Sequence, residues 1–555
     1  MIFNLNQVTR IRRWVVGAIL MGTLGLLFLR THSVTGTFHA DEGGVVLGSI
    51  SPNRELTATF QEAAYTAQPP LDHIIREKIY RPVGDFLGIS KKYPELFHRL
   101  MSLLWWTLPL GIFIVAYDKY SNKNRATVIF FFLLISSSEF LGYYLAEARH
   151  YSAIAAVFAA MLIVWMQDVI SWEKKKYVFL AVSALLPFLH MVSLSYWLVI
   201  VLAFFVNLFR NSLQKDRKEN YLLLGGYAVL GLLILGLYFE IKRISLDWQH
   251  PSMSNLNVKY LGSYLKWTID WIFYGTPLYQ AWVIIPDVIK NNLQYLFGLL
   301  TLGLGILFQK RRDIGLYLVL LTIVVFVWPA TVLTFLYVSG MFTGERYSIA
   351  ILIIILLGIS IALMETVWKT QFSTTVKLRI GLVLSSLLVF GSVTKFATNP
   401  SWKFESDENK FVKQNSKYLK NKDTILIADT GGYSSAIPLL AILNDVPFKV
   451  QYMQCRIGIF LSNGKNTLKS WMEEHKKDNV LLLGTKQDFM STNEILWSGG
   501  DLALYRLTSV NESGLCHNMQ TFDECYLKCF RGKYPASADQ RSIPGTAPHL
   551  DIHRP

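Results

Sequence analysis

Long uncharged apolar runs occupy most of the first 396 residues, and no other feature restricts the fold so strongly. They begin near Trp14, Leu103, Ala126, Tyr151, Tyr177, Val192, Tyr221, Leu293, Ile314, Tyr347 and Ile380. A helix needs about 20 mostly apolar residues to cross about 30 Å of hydrocarbon. The runs therefore predict a polytopic α-helical membrane protein with about 11 spans. Composition agrees: of 555 residues 52% are hydrophobic and only 17% charged, against roughly 25% charged in soluble domains.

Charge then orients the runs. A net charge of +15 raises nucleic acid as a partner, but much of the excess lies in short loops between runs, where membrane orientation signals belong. No nucleic-acid partner is expected. Arg10, Arg12 and Arg13 precede the first run, and Arg30-Thr31-His32-Ser33 follows it without a small-x-small cleavage site, so it reads as an uncleaved signal anchor. With the N-terminus cytoplasmic, Lys119, Lys123 and Arg125 fall inside. So do Lys174, Lys175 and Lys176, then Arg210, Lys215, Arg217 and Lys218, then Lys310, Arg311 and Arg312, and last Lys369, Lys377 and Arg379. Tyr177 to Phe209 fits one long tilted helix or a pair hinged near Pro187 to His190; only the pair keeps every basic cluster inside. Pro329 is expected to break or bend the run from Ile314 to Phe342. On this reading residues 31–96, the Glu147–His150 corner, His190, the loop 242–290, the Gly344–Arg346 corner and the chain beyond about Phe396 face outward from a cytoplasmic (inner) membrane.

Beyond Phe396 the composition becomes that of a soluble domain. Thr424–Ala428 and Val480–Gly484 read as buried strands, and Ser434–Leu443 and Leu468–His475 as helices. These predict an extracytoplasmic α/β domain over 397–510, followed by a Cys-containing, partly disordered tail over 511–555. Asp429-Thr-Gly-Gly432 fits a phosphate-cradling turn or an ordinary tight turn; the ordinary turn is preferred, since nucleotides are scarce outside a cell. Cys455, Cys516, Cys525 and Cys529 all lie in this part of the chain. An oxidising compartment permits disulfides there. Cys525 and Cys529 lack a matching second pair, so disulfide or free thiol is favoured over zinc. His549, Asp551 and His553 belong to the tail.

A charged residue inside a span is costly and marks function by default. Glu139 is the one such residue read from the runs, toward the outer end of its helix. Proton-coupled transport would call for more ionisable groups near the midplane, so chemistry is expected at the outer surface. In the first outer loop Asp41-Glu42 is either a solvated pair or a working one. Gln68-Pro-Pro70 follows, and then Leu71 to Tyr80, where Leu71, Ile74, Ile75 and Ile79 alternate with His73, Arg76 and Lys78. That spacing predicts an amphipathic helix lying in the membrane interface. At the Glu147-Ala-Arg-His-Tyr151 corner, Arg149 either snorkels to the headgroups or sets its planar fork against a lipid phosphate. Arg346 in Glu345-Arg-Tyr347 repeats the arrangement, and His190 is a third polar group on that face. In the loop 242–290, Trp248, Tyr264, Trp267, Trp271 and Tyr274 sit at the interface or stack on sugar, the interface being preferred.

An Asp-Glu pair early in the first outer loop, a Pro-Pro interfacial helix, Glu-x-Arg-x-Tyr opening one span and Arg-Tyr opening a late one together resemble the GT-C glycosyltransferases. The nearest branch is the protein O-mannosyltransferase and lipid A aminoarabinose transferase group, and the resemblance covers Met1 to about Phe396. It implies a polyprenyl-phosphate-linked sugar donor and a lipid, glycan or protein acceptor. Asp41 would take the acceptor hydroxyl's proton, Glu42 would position the acceptor, and transfer would invert the anomeric centre. Arg149 and Arg346, helped by Tyr151 and His190, would hold the donor phosphate, whose charge grows as it leaves. Glu139, Glu147, His150, His73, Arg76, Glu345 and Tyr347 are further candidates for substrate binding. No cofactor is required by this reading; a divalent metal stays open, because no ligand spacing stands out. The rival readings are a transporter or flippase of lipid-linked glycans, a glycan polymerase or ligase, and a membrane-anchored binding module.

Overall fold

The computed structural model describes residues 5–30, 46, 56–57, 60, 69–190, 193–211, 217–244, 349–397, 405–428, 436–454, 479–485 and 494–507. Asp41, Glu42, Glu345, Arg346, Tyr347, the loop 242–290 from residue 245 onward, the runs from Leu293 and Ile314, the 429–432 turn, the helix 468–475, all the cysteines and the tail lie outside the described residues. The chain forms two compact units. One comprises Met1–Val34, Ala63–Asp72 and Arg99–Trp402; the other comprises Thr35–Glu62, His73–His98 and Lys403–Pro555.

The first unit is helical. Its elements include Leu5–Arg30, Thr107–Val115, Asn122–Ser137, Glu139–Ala146, Tyr151–Trp165, Trp172–Ser183, Ser193–Asn211, Arg217–Ile244, Ile349–Lys369 and Thr374–Ala397. Among the described residues, Ile11–Leu29, Pro94–Val115, Arg217–Ile241, Leu352–Lys369 and Thr374–Thr394 are long and apolar enough to cross a membrane. Between Tyr177 and Phe209 the chain breaks into two helices, Trp172–Ser183 and Ser193–Asn211, around a 3-10 turn at Leu186–Phe188. Proline at 187 removes an N–H donor there. The Ser193 hydroxyl, donating 2.5 Å to the Leu186 carbonyl, secures the far side of the turn.

Tyr151–Trp165 is the central helix, and every one of its residues is buried. It packs against Thr107–Val115, Trp172–Ser183 and Ile349–Lys369. Ala153, Ala155, Ala156, Ala159 and Ala160 keep its surface low, which lets neighbouring backbones approach closely where no hydrophobic force separates protein from lipid. Carbonyls at and just beyond its end, which no helical N–H can reach, are met by side chains from other segments. The Tyr120 hydroxyl donates to Ile163 at 2.9 Å, and Asn124 Nδ2 donates to Met166 at 3.0 Å. Lys175 Nζ donates to Trp165 at 3.0 Å and to Gln167 at 2.8 Å. A cation at a helix C-terminus also complements the dipole, so Lys175, read from the sequence as an orientation signal, caps a helix as well. Burial raises the Tyr120 phenol above its ordinary range.

The sequence reading is corrected at two places in this unit. The run from Ala126 is not one helix: Asn122–Ser137 ends and Glu139–Ala146 begins around Ser138, whose side chain accepts from Leu141 N at 3.3 Å. Ser136, Ser137 and Ser138 turn their hydroxyls onto nearby backbone, the local competition that ends helices at serine runs. Glu139 therefore opens a short helix at a break. Nor is Glu139 the sole charge in a span. The helix before Thr107 starts at Pro94 rather than Leu103, so the candidate span Pro94–Val115 carries buried Glu95 and Arg99. Likewise Leu352–Lys369 carries Glu365, 3% exposed, which pairs with Lys123 Nζ at 2.7 Å.

The second unit holds a five-stranded sheet in the order β2-β1-β3-β5-β4. Its strands are β1 Thr424–Ala428, β2 Gln451–Gln454, β3 Asn479–Thr485, β4 Glu494–Gly499 and β5 Leu502–Arg506. β1 lies parallel to both β2 and β3, with Leu426 opposite Tyr452 and Leu481, whereas β3–β5 and β5–β4 are antiparallel. A parallel strand buried on both faces reads as a continuous apolar run, which is how β1 and β3 were legible; β2 and the β4–β5 hairpin were not foreseen. The hairpin turn needs glycine at 500. Its φ is +62°, and a Cβ there would lie 1.7 Å from Asp407 Oδ2, the oxygen that accepts from Asp501 N at 3.1 Å. Asp407–Gln414 packs on Ala436–Leu443 and is capped by Ser406. The Ser406 hydroxyl in turn donates to the Glu95 carboxylate.

Candidate functional site

Several buried polar residues of the first unit collect where the central helix begins. The Glu139–Ala146 helix stops at Glu147, whose backbone is extended, and the next helical element starts only at Tyr151. Between them runs a tight corner in which Glu147, Arg149 and His150 are all buried. The Arg149 guanidinium lies 5.0 Å above the Tyr151 ring, within cation–π range. The His150 imidazole stacks on His190 with ring centroids 4.2 Å apart and planes 24° apart. Tyr151 meets Tyr144 edge-on at 5.9 Å. Arg149, His150, Tyr151 and His190, picked out separately from the sequence, are thus brought together.

Two sets of bonds fix this geometry, and neither was foreseen. The first runs beneath the corner. Ser102 Oγ donates to the Glu147 carbonyl at 2.6 Å, and Ser152 Oγ donates to the Ser102 carbonyl at 2.6 Å. Trp106 Nε1 donates to Ser152 Oγ at 3.1 Å, and Trp105 Nε1 donates to Asp72 Oδ1 at 3.1 Å. Buried indole N–H groups need such acceptors. The signal for Asp72 was an acid in the first turn after Pro69-Pro70, where a helix start favours negative charge. The second set holds His190. Its carbonyl accepts from Ser193 N at 3.0 Å and from the Tyr238 hydroxyl at 3.2 Å, and Tyr238 also donates to the Pro187 carbonyl at 2.5 Å. The imidazole is therefore presented by a pinned turn.

His73 and Arg76 belong to the second unit and are both buried there. Arg76 Nη1 donates 2.9 Å to the His98 carbonyl, which gives it a structural bond in addition to any ligand. The helix predicted over Leu71–Tyr80 is a short α segment, Leu71–Ile75, followed by a π turn at Arg76–Tyr80 and another α segment, Arg81–Phe86. Its polar His73, Arg76 and Glu77 face inward while Ile79 is 54% exposed, the reverse of a water-soluble amphipathic helix. A π turn admits an extra residue, so α-helical spacing read across it misplaces the faces. Among the described residues no cluster of three or more His, Cys, Asp or Glu side chains is placed to hold a metal.

The fold and this cluster define a polytopic helical membrane protein whose cationic and aromatic groups meet at one end of a fully buried helix. Its structure is similar to that of ArnT from Cupriavidus metallidurans in the apo state, with a TM-score of 0.47 and 11% identity over 89% of this chain and 97% of that one. It is also similar to ArnT from the same organism bound to undecaprenyl phosphate, with a TM-score of 0.46 and 12% identity over 90% of this chain and 98% of that one. ArnT, the lipid A aminoarabinose transferase, belongs to the GT-C group that the motifs resemble. A likeness at this level transfers no residue roles. No family model matches the sequence, and no curated protein matches it.

Proposed function

We propose that this chain is a glycosyltransferase that moves a sugar from a polyprenyl-phosphate donor to a lipid, glycan or protein acceptor at the outer face of the cytoplasmic membrane, with inversion. The observation that carries the reading is the joining of Arg149, Tyr151 and the His150–His190 stack at the head of the central helix. A guanidinium oriented by an aromatic face, beside imidazoles that can donate to oxygen, suits a phosphate. Arg346 is proposed as the second phosphate cation.

In the proposed reaction the acceptor oxygen attacks the anomeric carbon and its proton passes to the Asp41 carboxylate. The bond from that carbon to the donor phosphate breaks, and the phosphate departs with the electron pair. Its charge grows by one unit, so cations already in place stabilise the transition state more than the ground state. Glu42 positions the acceptor. Glu139, Glu147, His150, His73, Arg76, Glu345 and Tyr347 are kept as candidates for substrate binding, and a divalent metal is left open.

The test separates the roles in nanodiscs, with undecaprenyl phosphate as the binding probe and transfer followed as a mass increase on acceptors from a cell-envelope extract. Asp41→Asn should lower turnover by about 10²–10⁴-fold, the scale of general-base catalysis, and leave probe binding intact. Arg149→Ala should weaken probe binding as well as transfer. Wild-type behaviour in both variants would sink the enzyme reading and favour a flippase of lipid-linked glycans.

A further inference from the structure

The cations around the five-stranded sheet are sorted into two groups. Among the described residues from 405 to 507, Lys410 pairs with Asp407 Oδ1 at 3.4 Å, Lys413 with Glu405 Oε1 at 2.6 Å and Arg506 with Glu494 Oε2 at 2.8 Å. The others, Lys417, Lys420, Lys422 and Lys449, are exposed, and no ion pair joins any of them to a described carboxylate. Like charges gathered on one surface without counter-charges raise the local potential and attract an oppositely charged partner.

Backbone bonds bring these four lysines to one place. The short helix Ser416–Leu419 ends at Lys420, and the chain turns through Asn421–Asp423 into β1. The Leu419 carbonyl accepts from Lys449 N at 2.8 Å and from Val450 N at 3.1 Å, on the segment that enters β2. Since β1 and β2 run parallel, with Ile425 opposite Gln451, both segments arrive at the same end of the sheet. Lys449 therefore stands beside Lys420, although it is far from it in sequence. Lys417 lies one helical turn before Lys420, and its Nζ is 4.7 Å from the centroid of the Tyr418 ring. The two segments 417–423 and 445–449 hold four lysines against Asp423 and Asp445, a surplus of two positive charges.

We infer that the Lys417–Lys420–Lys422–Lys449 face binds an acidic saccharide, a sugar chain that carries phosphate, sulfate or carboxylate groups. Lysine meets such groups as a mobile point charge, so one face can follow charges spaced along a chain. The half-buried Tyr418 ring beside Lys417 adds an aromatic surface on which a sugar can rest. A bilayer fits the face less well, because a membrane-surface element joins its basic residues to exposed apolar ones that enter the lipid. Among the described residues from 405 to 507 the one exposed large hydrophobic is Ile495. It lies on β4, at the edge of the sheet opposite β2. Nucleic acid is set aside by the outward placement read from the sequence. The inference concerns this face alone and stands if the glycosyl-transfer reading fails.

The test uses the full chain in nanodiscs of uncharged phosphatidylcholine, with a fluorescent heparin hexasaccharide as the acidic probe and maltohexaose as the neutral one. Heparin hexasaccharide should bind and maltohexaose should not. Exposed ion contacts contribute a few-fold each, so Lys420→Gln, Lys422→Gln and Lys449→Gln together should weaken heparin binding about ten-fold. A second variant removes the same charge from exposed cations of the first unit, Lys174→Gln, Arg217→Gln and Lys218→Gln together, and should bind as the wild type does. Equal losses in the two variants would reduce the effect to net charge and overturn the inference. So would failure of the wild type to bind heparin hexasaccharide at low salt. Adhesion to phosphatidylglycerol vesicles that needs the three sheet-domain lysines, without heparin binding, would give the face to lipid and overturn it too.

Discussion

Tyr151–Trp165 and Arg217–Ile244 are both apolar helices of the first unit, one of 15 residues and one of 28, yet protein covers every residue of the shorter, while the longer turns Leu222, Leu232, Leu233 and Phe239 outward. Only 11% of the span window Arg217–Ile241 is buried. Small residues alone do not explain the contrast. Gly225, Gly226 and Gly236 lie in the outward helix with nothing within 4 Å of where a Cβ would be, whereas the alanines of the inner helix are packed against neighbours. The clearer difference is at the ends. The inner helix is pinned at its start by Ser102, Ser152 and Trp106 and at its finish by Tyr120, Asn124 and Lys175. In a bilayer, apolar side chains gain little by leaving lipid for protein, so polar bonds and close packing decide which helix becomes central.

The contrast should break most visibly at Glu365, a buried charge on a helix packed against the inner one. Glu365→Gln leaves Lys123 without its counter-charge, and removing one partner of a buried pair costs about 3–5 kcal/mol. Because Lys123 is partly exposed, the lower end of that range is expected, read as a large loss of thermal stability in nanodiscs. An unchanged melting temperature would show the pair to be incidental.

A smaller effect compares the helices directly. Ala156→Leu should overpack the inner helix at a cost of about 1–3 kcal/mol. Leu232→Phe on the outward helix should stay within about 0.5 kcal/mol, as substitutions away from packed features do. Equal losses from both would erase the distinction drawn between them.

The smallest expected effect is at Tyr238, the polar exception on the outward helix. Tyr238→Phe removes the hydroxyl that holds Pro187 and His190, worth about 0.5–1.5 kcal/mol for a hydrogen bond. Undecaprenyl phosphate affinity should fall slightly, because the His190 turn loosens. No change in affinity would separate the turn from the site.

Much of this was legible beforehand because it rests on short-range pattern. The apolar runs marked where helices form, and Thr424–Ala428 was placed to the residue because its five apolar or β-branched side chains suit a strand buried on both faces. The candidate cluster was half legible: Arg149, His150, Tyr151 and His190 stood out as polar groups at helix ends. What escaped was relational. Asp72 was not singled out although Trp105 bonds it, and Ser102 and Ser152 were two serines among many.

The sequence by itself determined that the chain is apolar enough to cross a membrane repeatedly, and that cations and imidazoles sit at the ends of its apolar runs. Those properties follow from hydropathy and from backbone chemistry local to each segment. Tertiary structure alone decided which helix is buried throughout, that His150 meets His190, and that Ile79 rather than Arg76 faces outward. Such outcomes depend on side chains far apart in sequence, and on a π turn that changes helical phase without any signal in the spacing.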